Sequence, residues 1–477
     1  MKDCCKDESK GGDSYDMAVI GAGSAGFSAA ITAAEAGYSV ALIGHGTIGG
    51  TCVNVGCVPS KALIRAVEPL HVARAAARFD GIAAEARVTD WAALVAQKQA
   101  LVEDLRAAKY TDVLGAHPNV TYLEGQACFT ADGRIEVAGT TISAGKVIIA
   151  TGSRPHVPAL DGLDGVDWLD STSALELTDL PKSILIMGAG FIGAELGQIF
   201  ARAGVRVTIV TRRGLLPEAE PEISAALTGY FAAEGITVEG GLAYERIAEA
   251  NGVVTLTASR DGAPVTLSAQ RLLLTTGRVP NTDSLALDAA GIATDARGGI
   301  VVDAQMQTSR PGVWAAGDVT GRDQFVYMAA YGARLAVENA LEDKGATYDN
   351  RAMPAVVFSD PQVASVGLTE ARARAQGLEV VTTVLPLEHV PRALAARDTR
   401  GLIKLVAEAG SKRLLGAHVL APEGADTIQT AAMALATGMT YEDLGAMIFP
   451  YLTTVEGLKL AAQTFEKDIA KLSCCAG

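Results

Sequence analysis

Met17-Ala18-Val19-Ile20-Gly21-Ala22-Gly23-Ser24-Ala25-Gly26 is the stretch whose reading decides the fold. A short apolar run meets glycines spaced G-x-G-x-x-G, an alanine-rich segment of helical composition continues to Ala36, and a second apolar run spans Val40 to Ile43. This is the opening of a βαβ unit. In that setting the glycines have a physical purpose: the turn is tight, the backbone must approach a pyrophosphate, and the helix N-terminus favours its negative charge. Gly21, Gly23, Ser24, Ala25 and Gly26 are therefore read as a dinucleotide site. The acid that usually closes the second strand and holds a ribose hydroxyl is replaced by Gly44-His45-Gly46, so backbone groups, water or His45 are the substitutes to consider.

The same grammar returns at Ser183 to Met187, with the turn Gly188-Ala189-Gly190-Phe191-Ile192-Gly193, a helix to Ala203 and a strand over Val205 to Val210. That strand ends in Thr211-Arg212-Arg213. Arginines in place of an acid match a 2′-phosphate, so Gly188, Gly190, Gly193, Arg212 and Arg213 are read as an NADPH site, the alternative being ordinary solvated arginines. Further helices are expected over Lys61 to Ala77, Trp91 to Leu114 and Tyr327 to Leu341, and the pattern changes past Asn350 to strands and helices without a glycine fingerprint.

Composition limits the function classes. With 477 residues the chain suits roughly three domains, and 51 glycines with 5% aromatic residues suit an α/β protein. A formal charge of -14 disfavours a nucleic-acid partner. No run approaches the ~20 apolar residues of a membrane span, so a cytoplasmic location is expected.

Six of the seven cysteines come in pairs: Cys4 with Cys5, Cys52 with Cys57, and Cys474 with Cys475. Cys128 stands alone and is expected to be a small buried hydrophobe. Only His45 accompanies Cys52 and Cys57 nearby, which disfavours a four-ligand zinc site. Two such thiols can cycle between disulfide and dithiol. Cys474 and Cys475 are adjacent, and neighbouring Cα atoms lie ~3.8 Å apart, short of the ~4.4–6.8 Å of ordinary disulfides. They are better ligands for a soft thiophilic ion.

Gly49-Gly50-Thr51-Cys52-Val53-Asn54-Val55-Gly56-Cys57-Val58-Pro59-Ser60-Lys61 resembles the signature of the flavin disulfide reductases, and the likeness extends to Ala150-Thr151-Gly152, Gly277-Arg278-Val279-Pro280-Asn281 and Ala316-Gly317-Asp318. The resemblance implies an α/β fold of two Rossmann-like dinucleotide-binding domains and an α+β dimerisation domain. By the same resemblance, FAD would be bound by 15–156 with 282–350, NADPH by 157–281, and the dimer would form through 351–477, after a flexible tail over 1–14. It also implies FAD contacts from Gly50, Thr51, Lys61, Ala127, Thr151, Gly152, Asp318 and Val326, cofactor contacts from Gly277 and Arg278, and a pair between Lys61 and Glu195. Cys57 would be the flavin-side thiol and Cys52 the interchange thiol.

Phe449-Pro450-Tyr451-Leu452-Thr453-Thr454-Val455-Glu456 places Tyr451 where the family's disulfide reductases carry an acid–base histidine. A phenol of pKa ~10 is a poor proton donor to a thiolate near neutrality. Tyr451 and the terminal Cys474-Cys475 together resemble the mercury-reducing members of the family. That likeness implies Hg(II)–thiolate complexes as substrate, Cys52, Cys57, Cys474 and Cys475 as metal ligands, Tyr110, Tyr451 and Glu456 at the site, and delivery to the partner's thiols within a homodimer. The alternatives are a disulfide reductase of thioredoxin reductase or dihydrolipoamide dehydrogenase type, and a thiol protein that sequesters metal without turnover.

Overall fold

The computed structural model describes residues 14–468, so Cys4, Cys5, Cys474 and Cys475 lie outside the described residues. These residues form two compact units.

The first unit contains residues up to Pro59, Ala96–His156 and Arg278–Tyr348. β1 (Ser14–Ile20), α1 (Ser24–Glu35) and β2 (Val40–Gly44) make the expected βαβ opening. β1 begins at Ser14, which pairs with Ser143, so the strand takes in the last residue of the expected tail. The chain then runs through α2 (Gly50–Val55) into α3 (Cys57–Ala75), later through α4 (Trp91–Arg106), and reaches β3 (Val120–Glu124). β1 lies between β2 and the strand Thr140–Ile149, and β3 lies beyond β2, all parallel. Val313–Ala315 adds on the far side of Thr140–Ile149. β2 and the C-terminal halves of β1 and Thr140–Ile149 are apolar and buried, as the centre of a parallel sheet covered by helices requires, while β3 is only partly buried.

The second unit contains Ser60–Val95, Val157–Gly277 and residues from Asp349 onward. Its parallel sheet runs Thr237–Glu239, Arg206–Val210, Ser183–Met187, Arg271–Leu274, Trp168–Leu169. A five-stranded antiparallel sheet, Pro354–Val357, Gln362–Gly367, Leu414–Ala421, Leu402–Glu408, Val380–Pro386, carries the helix Gly424–Ala436. Among the described residues no helix is long and apolar enough to cross a membrane.

Several local expectations change. α3 starts at Cys57, four residues before Lys61, because Pro59 sits in its first turn, where a missing N–H costs nothing. The expected helix from Trp91 to Leu114 becomes α-helical to Arg106, π-helical over Ala107–Thr111 and α-helical again to Gly115. The last described helix spans Glu456–Gln463. Thr464 bonds back to the Ala461 carbonyl and Phe465 stacks on Tyr441 at 4.3 Å, so the apolar side chain is buried without a further helical turn. Cys128 is half-exposed, not buried: on the strand Ala127–Phe129 the two-residue period turns Ala127 and Phe129 inward and Cys128 outward.

Candidate active site

The first glycine turn is shaped by close backbone approaches. Gly21 has φ +120, and a Cβ there would strike the Ala150 carbonyl. A Cβ on Gly50, φ +67, would lie 2.6 Å from the Gly23 Cα, so Gly50 has no room for a side chain. No side chain caps α1 at Gly23, which leaves its leading N–H groups for an anion.

Cys52 lies in α2 and Cys57 opens α3, both half-buried. Asn54 between them donates to the carbonyls of Ile48 and Gly50, both at 2.9 Å, and accepts from Arg106 at 3.1 Å, fixing the loop that carries the thiols. Tyr110, on the π-helical turn, packs edge-on against Phe27 at 4.8 Å, and its hydroxyl lies 3.2 Å from the Ser24 hydroxyl. Burial pushes the phenol up; Ser24 partly opposes this, while the nearby Cys52 and Cys57 sulfurs push it further. Tyr110 therefore keeps a neutral hydroxyl near the thiols. Tyr327 is held above its ordinary range in the same way, by burial first and then by Asp323 and Cys57; sequence reasoning missed it, and nothing in its local pattern marks it.

Three separated motifs converge in this unit. Thr151 Oγ1 donates to the Asn281 carbonyl at 2.7 Å, and Asn281 returns a bond to the Thr151 carbonyl at 3.0 Å. Ser153 donates to Asp318 at 2.6 Å and accepts from Arg278 Nε at 2.7 Å. Ser153 was also missed, although it directly follows Ala150-Thr151-Gly152. Thr51 is exposed at the start of α2, Ala127 is buried, and Val326 opens the helix Val326–Glu342. Gly152 follows Thr151 at φ +71.

In the second unit Lys61 Nζ lies 2.7 Å from Glu195 Oε2 and 4.8 Å from the Phe358 ring centroid. Gly188 has φ +115, and a Cβ on Gly193 would strike its carbonyl, so this turn is as tightly closed as the first. Gly190 precedes the helix Phe191–Arg202 without a side-chain cap, and Gly277 has φ +111. Arg212 stacks its guanidinium 5.5 Å from the Tyr244 ring, whose hydroxyl is pushed up to about 12 by burial, against the opposing effect of Arg212. Arg213 pairs with Glu218 at 2.9 Å, and Glu218 also meets Arg372 at 3.1 Å. Tyr451 is 55% exposed. Glu456 is buried, and its Oε2 has no hydrogen-bond partner among the described residues. No group of three or more metal-ligating side chains exists among the described residues.

Residues 15–336 match the family model described as pyridine nucleotide-disulphide oxidoreductase, and residues 353–462 match its dimerisation domain. The chain is 48% identical to the mercuric reductase of Streptomyces lividans over 97% of this chain and 98% of that protein. It is 46% identical to the mercuric reductase of Shigella flexneri, over 100% of this chain and 86% of that one. Among solved structures, a Cu(II) complex of the HOCl-induced flavoprotein disulfide reductase from Escherichia coli superposes with a TM-score of 0.84 at 31% identity, covering 95% of this chain and 99% of that chain.

Proposed function

Because this chain belongs to the pyridine nucleotide-disulphide oxidoreductase family, we propose that it reduces Hg(II) to Hg(0) with electrons from NADPH, by way of FAD and the Cys52–Cys57 pair. The observation that carries this reading is the position of Tyr110: its hydroxyl meets Ser24 in the first glycine turn and lies in the field of both Cys52 and Cys57. This supports reading the dinucleotide turn and the thiol pair as one site.

The residues present fit both groups. The Gly21–Gly26 turn, Asp318 and the Thr151–Asn281 clasp suit FAD, and the Gly188–Gly193 turn with Arg212 and Arg213 suits NADPH. Bound there, FAD supplies a two-electron relay between pyridine nucleotide and thiols. Lys61 presents an ammonium oriented by Glu195. Cys474 and Cys475 take Hg(II) from small thiols by thiolate exchange and pass it to Cys52 and Cys57. One NADPH, one proton and one Hg(II) dithiolate give NADP⁺, Hg(0) and two free thiols. Tyr110 remains protonated, its hydroxyl paired with that of Ser24, instead of exchanging a proton. Tyr451, lacking histidine's pKa, favours a metal over a disulfide as the electron acceptor. The matched dimerisation domain and the exposed apolar Ile448, at 98%, support a homodimer; in this reading each tail serves the partner's thiols.

The test is NADPH oxidation with Hg(II) in excess thiol, run beside oxidised glutathione, lipoamide and thioredoxin. Turnover confined to Hg(II) is expected. Faster turnover of any of the three disulfides, with none for Hg(II), overturns the reading.

A further inference from the structure

The missing acid at the end of β2 leaves the first dinucleotide site without its usual partner for a ribose. The tertiary structure shows why no acid stands there. A Cβ on Gly44 would run into the Tyr122 hydroxyl and come within 2.8 Å of the Ala22 methyl, so the position has no room for a side chain. Ala22 belongs to the glycine turn itself, which puts the Tyr122 hydroxyl at the edge of that turn.

Tyr122 stands on β3, and the register of the two parallel strands pairs Leu42 with Tyr122 and Gly44 with Glu124. The Gly125 N–H donates to the Gly44 carbonyl at 2.7 Å, so this register holds to the end of both strands. Paired residues of parallel strands project to the same face, and residues two apart on one strand share a face. Tyr122 and Glu124 therefore lie on the side from which Gly44 would have projected, one strand spacing away, ~4.8 Å. Glu124 is exposed at the strand end. Its charge adds to the effect of burial in pushing the Tyr122 phenol up, which places the two groups in one electrostatic neighbourhood.

We propose that the Glu124 carboxylate and the Tyr122 hydroxyl on β3 hold the adenosine ribose of FAD, replacing the acid that β2 lacks. Gly44 is the accommodation that lets Tyr122 reach the turn. The carboxylate accepts from the ribose hydroxyls, a charge-assisted bond, and the phenol orients the same sugar. The inference rests on the reading of the first turn as the FAD site.

The test uses the full chain stripped of flavin, with FAD binding followed by fluorescence quenching. Glu124→Gln preserves shape at an exposed position and removes only the charge. It is expected to raise the Kd for FAD about tenfold, the scale of one charge-assisted bond. An FAD analogue whose adenosine ribose lacks its hydroxyls should bind wild type about as weakly, and Glu124→Gln should weaken that analogue no further. Tyr122→Phe should give a smaller loss that likewise disappears with the analogue. Unchanged FAD affinity in Glu124→Gln, or equal losses for FAD and the analogue, overturns the assignment. Failure of the wild-type apoprotein to bind FAD at all overturns the cofactor reading instead, so the two failures are distinct.

Discussion

Glu195 holds two groups at once: its Oε2 lies 2.7 Å from Lys61 Nζ, and its Oε1 accepts the Phe358 N–H at 2.9 Å. With 7% of its side chain exposed, against 34% for Lys61, the carboxylate is the buried half of the pair. Removing it leaves a half-buried ammonium without its partner. Glu195→Gln is expected to cost about 1–3 kcal/mol of stability, read from denaturant midpoints of the flavin-loaded protein. Lys61→Met should then cost less in the Gln background than alone. Strict additivity of the two substitutions would mean that the pair contributes nothing.

Coenzyme choice should follow Arg212 and Arg213. Both stand after the strand Arg206–Val210, and Arg213 is already paired with Glu218, so a 2′-phosphate has to replace that carboxylate. Arg212→Glu with Arg213→Ala should remove on the order of 1.5–3 kcal/mol of NADPH binding for each lost phosphate contact, while NADH changes little. Steady-state KM values for the two coenzymes decide it; equal changes for both would assign the arginines to the solvent.

Cys52→Ser and Cys57→Ser should each keep bound flavin and lose Hg(II) turnover. If Cys57 is the flavin-side thiol, the long-wavelength absorbance of the two-electron-reduced protein disappears in Cys57→Ser and persists in Cys52→Ser. The opposite pattern reverses the two roles.

Delivery between subunits can be read by complementation. A subunit with Cys52→Ala and Cys57→Ala, paired with one carrying Cys474→Ala and Cys475→Ala, holds one complete set of four cysteines only if the tail serves the partner. Roughly half of the dimer's activity at low free thiol should return. No recovery in verified heterodimers would place delivery within one chain.

Acid stability should depend on Asp398. Burial alone would raise its carboxyl, but Arg400 at 2.8 Å and Arg78 at 3.0 Å outweigh burial and hold it at about 2. Because the folded value lies below the unfolded one, near ~3.9, the stabilisation is present above that value. It is lost as pH falls through about 2. The shift corresponds to on the order of 2–3 kcal/mol. Asp398→Asn should lower stability at neutral pH and flatten the loss between roughly pH 4 and 2, measured by thermal unfolding across that range.

Local physics made much of this protein legible in its sequence. The strand Ser183–Met187 matches its apolar run because a strand buried on both faces needs no partner to be recognised. Both glycine turns could be read because a tight turn forces its own residues whatever surrounds it. The two thiols of α2 and α3 lie close in the chain, so their spacing alone marked them as a unit. What the sequence could not decide depends on segments far apart in the chain. Ser153 meets Asp318 across 165 residues, Tyr110 meets Ser24 across 86, and the last described helix ends at Gln463 because Phe465 finds Tyr441. Gly44 gives the clearest case. From its own neighbours it reads as a lost acid, and only the register of β2 against β3 shows that Tyr122 fills the space and that Glu124 stands beside it. A strand's own sequence sets which residues share a face, but which strand lies alongside, and in what register, is settled by the packing of the whole sheet.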